Sequence, residues 1–321
     1  MSKNVIKTTA SAVQARTRTR DHIYQTPILP ARHVGKDNGS TILSKAENFQ
    51  HTGSFKFRGA MSKLPAPSSD TRLITASSGN HDIAAACAAE TLSKAVTVVL
   101  PETVVQAKSK KIQAYGVNVV LNGAETGLAE QHAQHLAATQ GYQYISTYND
   151  PDIIAGQGTI GLELLEQCAQ VDNVFVTVEG GGLISGIGSV MKACSPRTRI
   201  YGVAATNSKA LAPSIAAGHV VETEHSYTLA GGVAGGMDID SITLPLARAV
   251  VDQVIEYSED EIRSALRTLG YDEGLVVEGS AALALAGYDK VAKEVADQSS
   301  VLVMCGGNLD REFIRKVNFG A

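Results

Sequence analysis

From about residue 70 onward, short β-branched apolar runs alternate with longer stretches of helical period. "RLITAS" precedes the Ala-rich "DIAAACAAETL". "AVTVVLP" precedes "VQAKSKKIQAYG", and "VNVVLNG" precedes "TGLAEQHAQHLAATQG" and the strand-like "YQYIST". Runs of this length and composition read as strands, and the stretches between them as amphipathic helices. The β-α-β-α order predicts right-handed crossovers and a parallel sheet. The rhythm restarts after Asn149-Asp150-Pro151. A long helix, "DIIAGQGTIGLELLEQC", leads to the strand "NVFVTV", the turn "EGGG", the strand "RIYGVAA", the helix "SEDEIRSALRTLG" and the strand "SVLVMCGG". The patch "LAGGVAGGMD" reads as loop. Two α/β units sharing a cleft are expected, with ligands held beyond the carboxyl ends of the strands.

Composition adds mainly exclusions. The chain has 321 residues, 44% apolar and 19% charged, which fits a folded globular protein with a sizeable core. A formal charge of −4 gives no electrostatic case for nucleic acid or an anionic membrane as partner. Cys87, Cys168, Cys194 and Cys305 form no C-x-x-C pair, so neither a structural zinc nor a disulfide framework is expected. The N-terminal "MSKNVIKTTASAVQARTRTR" lacks the apolar core of a signal peptide, and no apolar run is long enough to span a bilayer. The cytoplasm is the expected location. The eight histidines make no metal-binding pattern, and His132 and His135 fall on an amphipathic helix with a solvated face.

Three strand-to-helix junctions and one lysine carry the candidate chemistry. In "VTVEGGGLISGIG" a strand runs into Gly180-Gly181-Gly182 and a helix from about Leu183, which aims free amides and the positive helix end at one spot. A plain tight turn does not need three consecutive glycines, whose ordering costs backbone entropy. In "TASSGNHDIAAA", Ser77, Ser78, Gly79, Asn80 and His81 offer more donors than one N-cap requires, enough for a small carboxylate or a phenolic oxygen. Cys305, ahead of Gly306-Gly307-Asn308, taken alone reads as a small core hydrophobe. Lys56 stands between Phe55 and Phe57, behind a Thr-Gly-Ser turn, where a surface lysine would be out of place. A phosphate cradle, an enclosed amine and a carboxylate-binding loop together suggest pyridoxal 5′-phosphate (PLP).

The stretches "ENFQHTGSFKFRGA", "SSGNHDIAAACAA", "IAGQGTIGLELL", "GGGLISGIG" and "CGGNLD" resemble, in order and over nearly the whole chain, the serine/threonine dehydratase and serine racemase family. The resemblance implies a two-domain α/β protein of PLP fold type II. Each domain would be a mostly parallel twisted sheet flanked by helices, with the active site in the interdomain cleft. Residues 1–47 and 148–321 would form the large PLP-binding domain and residues 48–147 the small one. Lys56 would carry the cofactor, Asn80 would bond its 3′-oxygen, Gly180 to Leu183 would hold its phosphate, and Cys305 would sit against its pyridine nitrogen. Ser77, Ser78 and the neighbouring amides of Gly79, Asn80 and His81 would bind the substrate carboxylate. Ser78 would also face the lysine across the cofactor. Phe55, Asn149 and Glu278 would line the ring or substrate, and a homodimer is implied.

The implied activity is α,β-elimination of water from a β-hydroxy amino acid, of the L-threonine, L-serine or 3-hydroxyaspartate type, to a 2-oxo acid and ammonia. Racemase and ectoine-utilisation dehydratase activities are the near alternatives, and a non-catalytic PLP-binding regulator the distant one. Four positions depart from the family pattern. Glu179 replaces a glycine or serine, Asp82 a small residue, Gly279 a proline, and Ala204 the cation-binding glutamate of racemase-like members. The last departure argues against a metal site. A regulatory domain is not expected after "CGGNLD".

Overall fold

The computed structural model describes residues 2–66, 68, 71–77, 79–233, 235–309, 313 and 315. Two sheets organise the chain, one nested in the sequence of the other. The strands are β1 (Ile28–Pro30), β2 (Thr41–Lys45), β3 (Leu73–Ala76), β4 (Val96–Leu100), β5 (Asn118–Leu121), β6 (Gln143–Tyr144), β7 (Asn173–Thr177), β8 (Arg199–Ala205), β9 (Gln253–Tyr257) and β10 (Ser299–Val303). One sheet runs β5-β4-β3-β6 and is parallel throughout, and the other runs β1-β2-β10-β7-β8-β9. In the second only the edge pair β1–β2 is antiparallel. That antiparallel edge was not legible in "ILP", which is too short to show a period.

The α-helices are α1 (Lys3–Thr19), α2 (Lys56–Lys63), α3 (Asn80–Thr91), α4 (Gln106–Gln113), α5 (Thr126–Gln140), α6 (Pro151–Gln167), α7 (Gly182–Cys194), α8 (Leu211–Ala217), α9 (Thr243–Val250), α10 (Glu259–Arg267) and α11 (Gly279–Val291). Central strands such as β4 and β7 are buried at every position. This explains why they read as unbroken apolar runs rather than as alternations. The long helix expected after Asn149 begins at Pro151, with the Asp150 carboxylate accepting from the N–H groups of Asp152 and Ile153. Strand β6 is shorter than "YQYIST" suggests. After Ile145 the Ser146 hydroxyl accepts from the N–H groups of Tyr148 and Asn149 and turns the chain.

The two sheets own separate apolar cores. Phe55 belongs to the larger, with Phe175, Tyr201 and Leu183, and Phe57 to the smaller, with Met61, Leu73 and Val98. Lys56 therefore stands on the seam where the chain passes from one core to the other. The seam is pinned by β10's continuation: Phe55 N–H donates to the Cys305 carbonyl at 3.0 Å, and Gly307 N–H to the Gly53 carbonyl at 2.9 Å. Among the described residues no helix is long and apolar enough to cross a membrane.

Candidate active site

A cavity of about 830 Å³ opens at the carboxyl ends of both sheets. Phe55, Lys56, Ser77, Gly79, Asn80, His81, Gly180, Gly181, Gly182, Leu183, Glu278 and Cys305 all line it. Asn149 does not: its amide is taken up by Asp238 Oδ2 at 2.8 Å and the Ile242 N–H at 2.9 Å, so it reaches the cavity only through Asp238. Ser78 lies outside the described residues.

Lys56 is the first residue of α2, and its Nζ donates to the Thr147 carbonyl at 3.1 Å, just past β6. Burial pushes its amine below the usual lysine range, although Glu179, Cys305, Glu278 and Asp82 all pull it back up. Lowering the amine raises the fraction that is unprotonated and nucleophilic near neutrality. Asn80 opens α3, where its Nδ2 donates to both oxygens of Glu278 at 2.9 and 3.0 Å and its Oδ1 accepts from Asn308 Nδ2 at 2.8 Å. Glu278 precedes α11, so this contact joins the two sheets' elements across the cavity. The Cys305 thiol is raised well above its ordinary value by burial and by Glu278, so it stays a thiol. His81 Nε2 lies 3.0 Å from Thr75 Oγ1, and burial, with Lys56 beside it, lowers the imidazole to about 3. It is neutral at any physiological pH.

The glycine turn is shaped by Tyr148. A Cβ on Gly180 would lie 2.5 Å from the Tyr148 ring, while Gly181 has φ +84° and caps α7. The Gly180 carbonyl accepts from Thr243 Oγ1 at 2.5 Å, which ties the turn to the start of α9. Gly180→Ala is expected to cost about 1–3 kcal/mol by overpacking, read as a lower melting temperature. An unchanged melt would mean that Tyr148 moves freely. This cradle, which side chains would fill, has the form of a phosphate site at a helix N-terminus. With Lys56 and Asn80 on the same cavity, the donor set fits PLP.

The structure adds residues that the sequence did not single out. Thr147, Tyr148, loop residues 227–229, 231–233 and 235–238 and the start of α5, with Glu130, all line the cavity. The loop was visible as a glycine patch, but nothing in its residues says which wall it forms. Glu130 reads as solvated on an amphipathic helix, yet burial raises its carboxyl, and it accepts from the Tyr144 hydroxyl at 2.7 Å. Of the departures, Asp82 is fully buried with both oxygens unpartnered, and burial pushes its carboxyl well up. Ala204 is buried in β8. Among the described residues no three His, Cys, Asp or Glu are grouped to hold a metal.

Comparison with known proteins agrees with this geometry. Residues 19–306 match the family described as pyridoxal-phosphate dependent enzymes. The chain is 33% identical over 309 residues to the L-threo-3-hydroxyaspartate ammonia-lyase of Saccharomyces cerevisiae, covering 95% of this chain and 94% of that one. It is likewise 33% identical over 313 residues to the catabolic L-threonine dehydratase of Escherichia coli, covering 95% and 94%. Its fold superposes on maize serine racemase with a TM-score of 0.89 at 29% identity, covering 96% of this chain and 95% of that one. The fold is thus PLP fold type II. On a match spanning almost the whole sequence, this chain belongs to the pyridoxal-phosphate dependent enzyme family.

Proposed function

We propose that this protein is an ammonia-lyase that removes water from a β-hydroxy amino acid, with serine, threonine and 3-hydroxyaspartate as the substrate class, and releases a 2-oxo acid and ammonia. The observation that carries the reading is the sharing of one cavity by the Lys56 amine, the Gly180–Leu183 turn, and Ser77, Gly79, Asn80 and His81. Its support comes from relatives of near-equal length named as ammonia-lyase and dehydratase.

Bound PLP would supply the electron sink for carbanionic charge. The rest belongs to the chain. Lys56 would anchor the cofactor and, with its amine lowered by burial, take the α-proton. The Gly180, Gly181, Gly182 and Leu183 amides would hold the phosphate, and Asn80, steadied by Glu278, would meet the ring oxygen. Cys305 would face the ring nitrogen as a neutral thiol, unable to protonate it as an acid would. Ser77, Ser78 and the amides of Gly79, Asn80 and His81 would take the substrate carboxylate, with Phe55 shaping the space and Asn149 acting on it through Asp238. We also place the small domain at residues 48–147, with 1–47 and 148–321 as the large one, and read the protein as a cytoplasmic homodimer.

The PLP-loaded protein is expected to release equal amounts of ammonia and 2-oxo acid from at least one of serine, threonine and the hydroxyaspartate diastereomers. Silence on all of them would end the lyase reading. Likeness to serine racemase favours a second activity at the same site, and chiral analysis of leftover substrate reads it directly.

A further inference from the structure

Glu179 is the last residue before the glycine turn and leads directly into Gly180, the first residue of the cradle. It lines the same cavity as Lys56. Its outer oxygen runs up against the glycine patch: a Cβ on Gly235 would lie 2.4 Å from Glu179 Oε1, so a side chain there would displace this carboxylate. Gly235 is itself held, since its N–H donates to Ser208 Oγ at 3.2 Å, and Ser208 Oγ also contacts His225 Nδ1 and the Val233 carbonyl, both at 3.0 Å. The chain has thus built a fitted place for an acid beside the amides that would receive a phosphate.

We propose that Glu179 couples cofactor binding to proton uptake: the phosphate enters the cradle when Glu179 is neutral, and the anionic form repels it. The proposal rests on the PLP reading above. Two anions at one cradle repel each other, and the cheapest relief is a proton on the weaker acid. The groups facing Glu179 are Lys56 from α2, Glu130 from α5, Tyr148 ahead of α6, and Asp238 from the loop. Burial raises the Glu179 carboxyl, Lys56 lowers it, and Glu130 raises it further. The sign follows from linkage. Above the raised carboxyl value the free protein holds Glu179 as an anion, so binding must take up a proton, and affinity falls by about tenfold per pH unit. Below it, Glu179 contributes no pH dependence.

Pyridoxamine 5′-phosphate is the probe, because it carries the phosphate but no aldehyde for Lys56. Calorimetric titration of the cofactor-free full chain in buffers of differing ionisation enthalpy, from about pH 7 to 9, counts protons taken up on binding. At the alkaline end wild type is expected to take up about one proton more than Glu179→Gln. Glu179→Gly, which extends the glycine run, serves as a second neutral variant should the glutamine fail to fold. Protonation of the phosphate itself is common to all three proteins and cancels. Equal proton counts and equal pH slopes would overturn the coupling and leave the cofactor reading intact. Absence of binding in all three would overturn both.

Discussion

Lys56→Ala is expected to leave a folded protein whose kcat/KM for ammonia release is lower by roughly 10⁴-fold or more, since one amine is assigned both anchoring and proton abstraction. The fold should survive because the side chain contributes little to it. Its Nζ hydrogen-bonds the Thr147 carbonyl and lies over the Phe55 ring, and burial already disfavours its charged form. As the first residue of α2, it contributes an N–H that has no place in the helix ladder. Melting temperature and circular dichroism should therefore stay close to wild type. Borohydride treatment of the PLP-loaded protein followed by mass measurement gives a second readout. Wild type should gain one cofactor on the peptide containing Lys56, and the variant none. A variant that kept its turnover, or still fixed the cofactor, would show that another amine does the work.

Much of this site was visible in the sequence because local chemistry marks it. Lys56 between two phenylalanines looked misplaced, and the reason is that Phe55 and Phe57 enter different cores. The glycine turn and the Ser-Ser-Gly-Asn-His junction carry their purpose in residue type and spacing. What stayed hidden depends on partners far along the chain. Asn149 looked like a site residue, but its amide is turned to Asp238, 89 positions away. Glu179 raised the right question, and its answer lay in Gly235. In "GLELLEQ", Glu163 reads as the polar side of an amphipathic helix, whereas it is buried against Lys45, 118 positions earlier. Periodicity reports which face is polar and is silent about what that face meets.

That buried face carries the largest expected effect on stability. Arg58, two residues past Lys56, is fully buried with forked contacts to two carboxylates. Its Nε and Nη2 donate to Glu47 Oε2 and Oε1 at 2.7 and 2.9 Å, and its Nη1 and Nη2 to Glu163 Oε1 and Oε2 at 2.6 and 2.8 Å. Lys45 Nζ closes the cluster on Glu163 Oε2 at 2.5 Å, giving two cations and two anions. Arg58→Met removes one cation and leaves a carboxylate uncompensated in the interior, which should cost about 3–5 kcal/mol. Arg58→Met with Glu47→Gln, which restores the charge balance, should recover part of that loss.

The pH dependence separates charge from packing. Burial pushes the Glu163 carboxyl up, but Arg58 and Lys45 outweigh it and hold it below the usual range. A depressed carboxyl contributes stability that is present above its unfolded value, about 4.3, and is lost as pH falls through its folded value. Without Arg58 the same carboxyl keeps only Lys45 against burial and is easier to protonate, so the variant is relieved by acid while wild type is weakened. Urea melts of the two proteins should therefore converge as pH drops from about 7 toward 4. A deficit that stayed constant across that range would assign the loss to the shape of the arginine side chain and not to its charge.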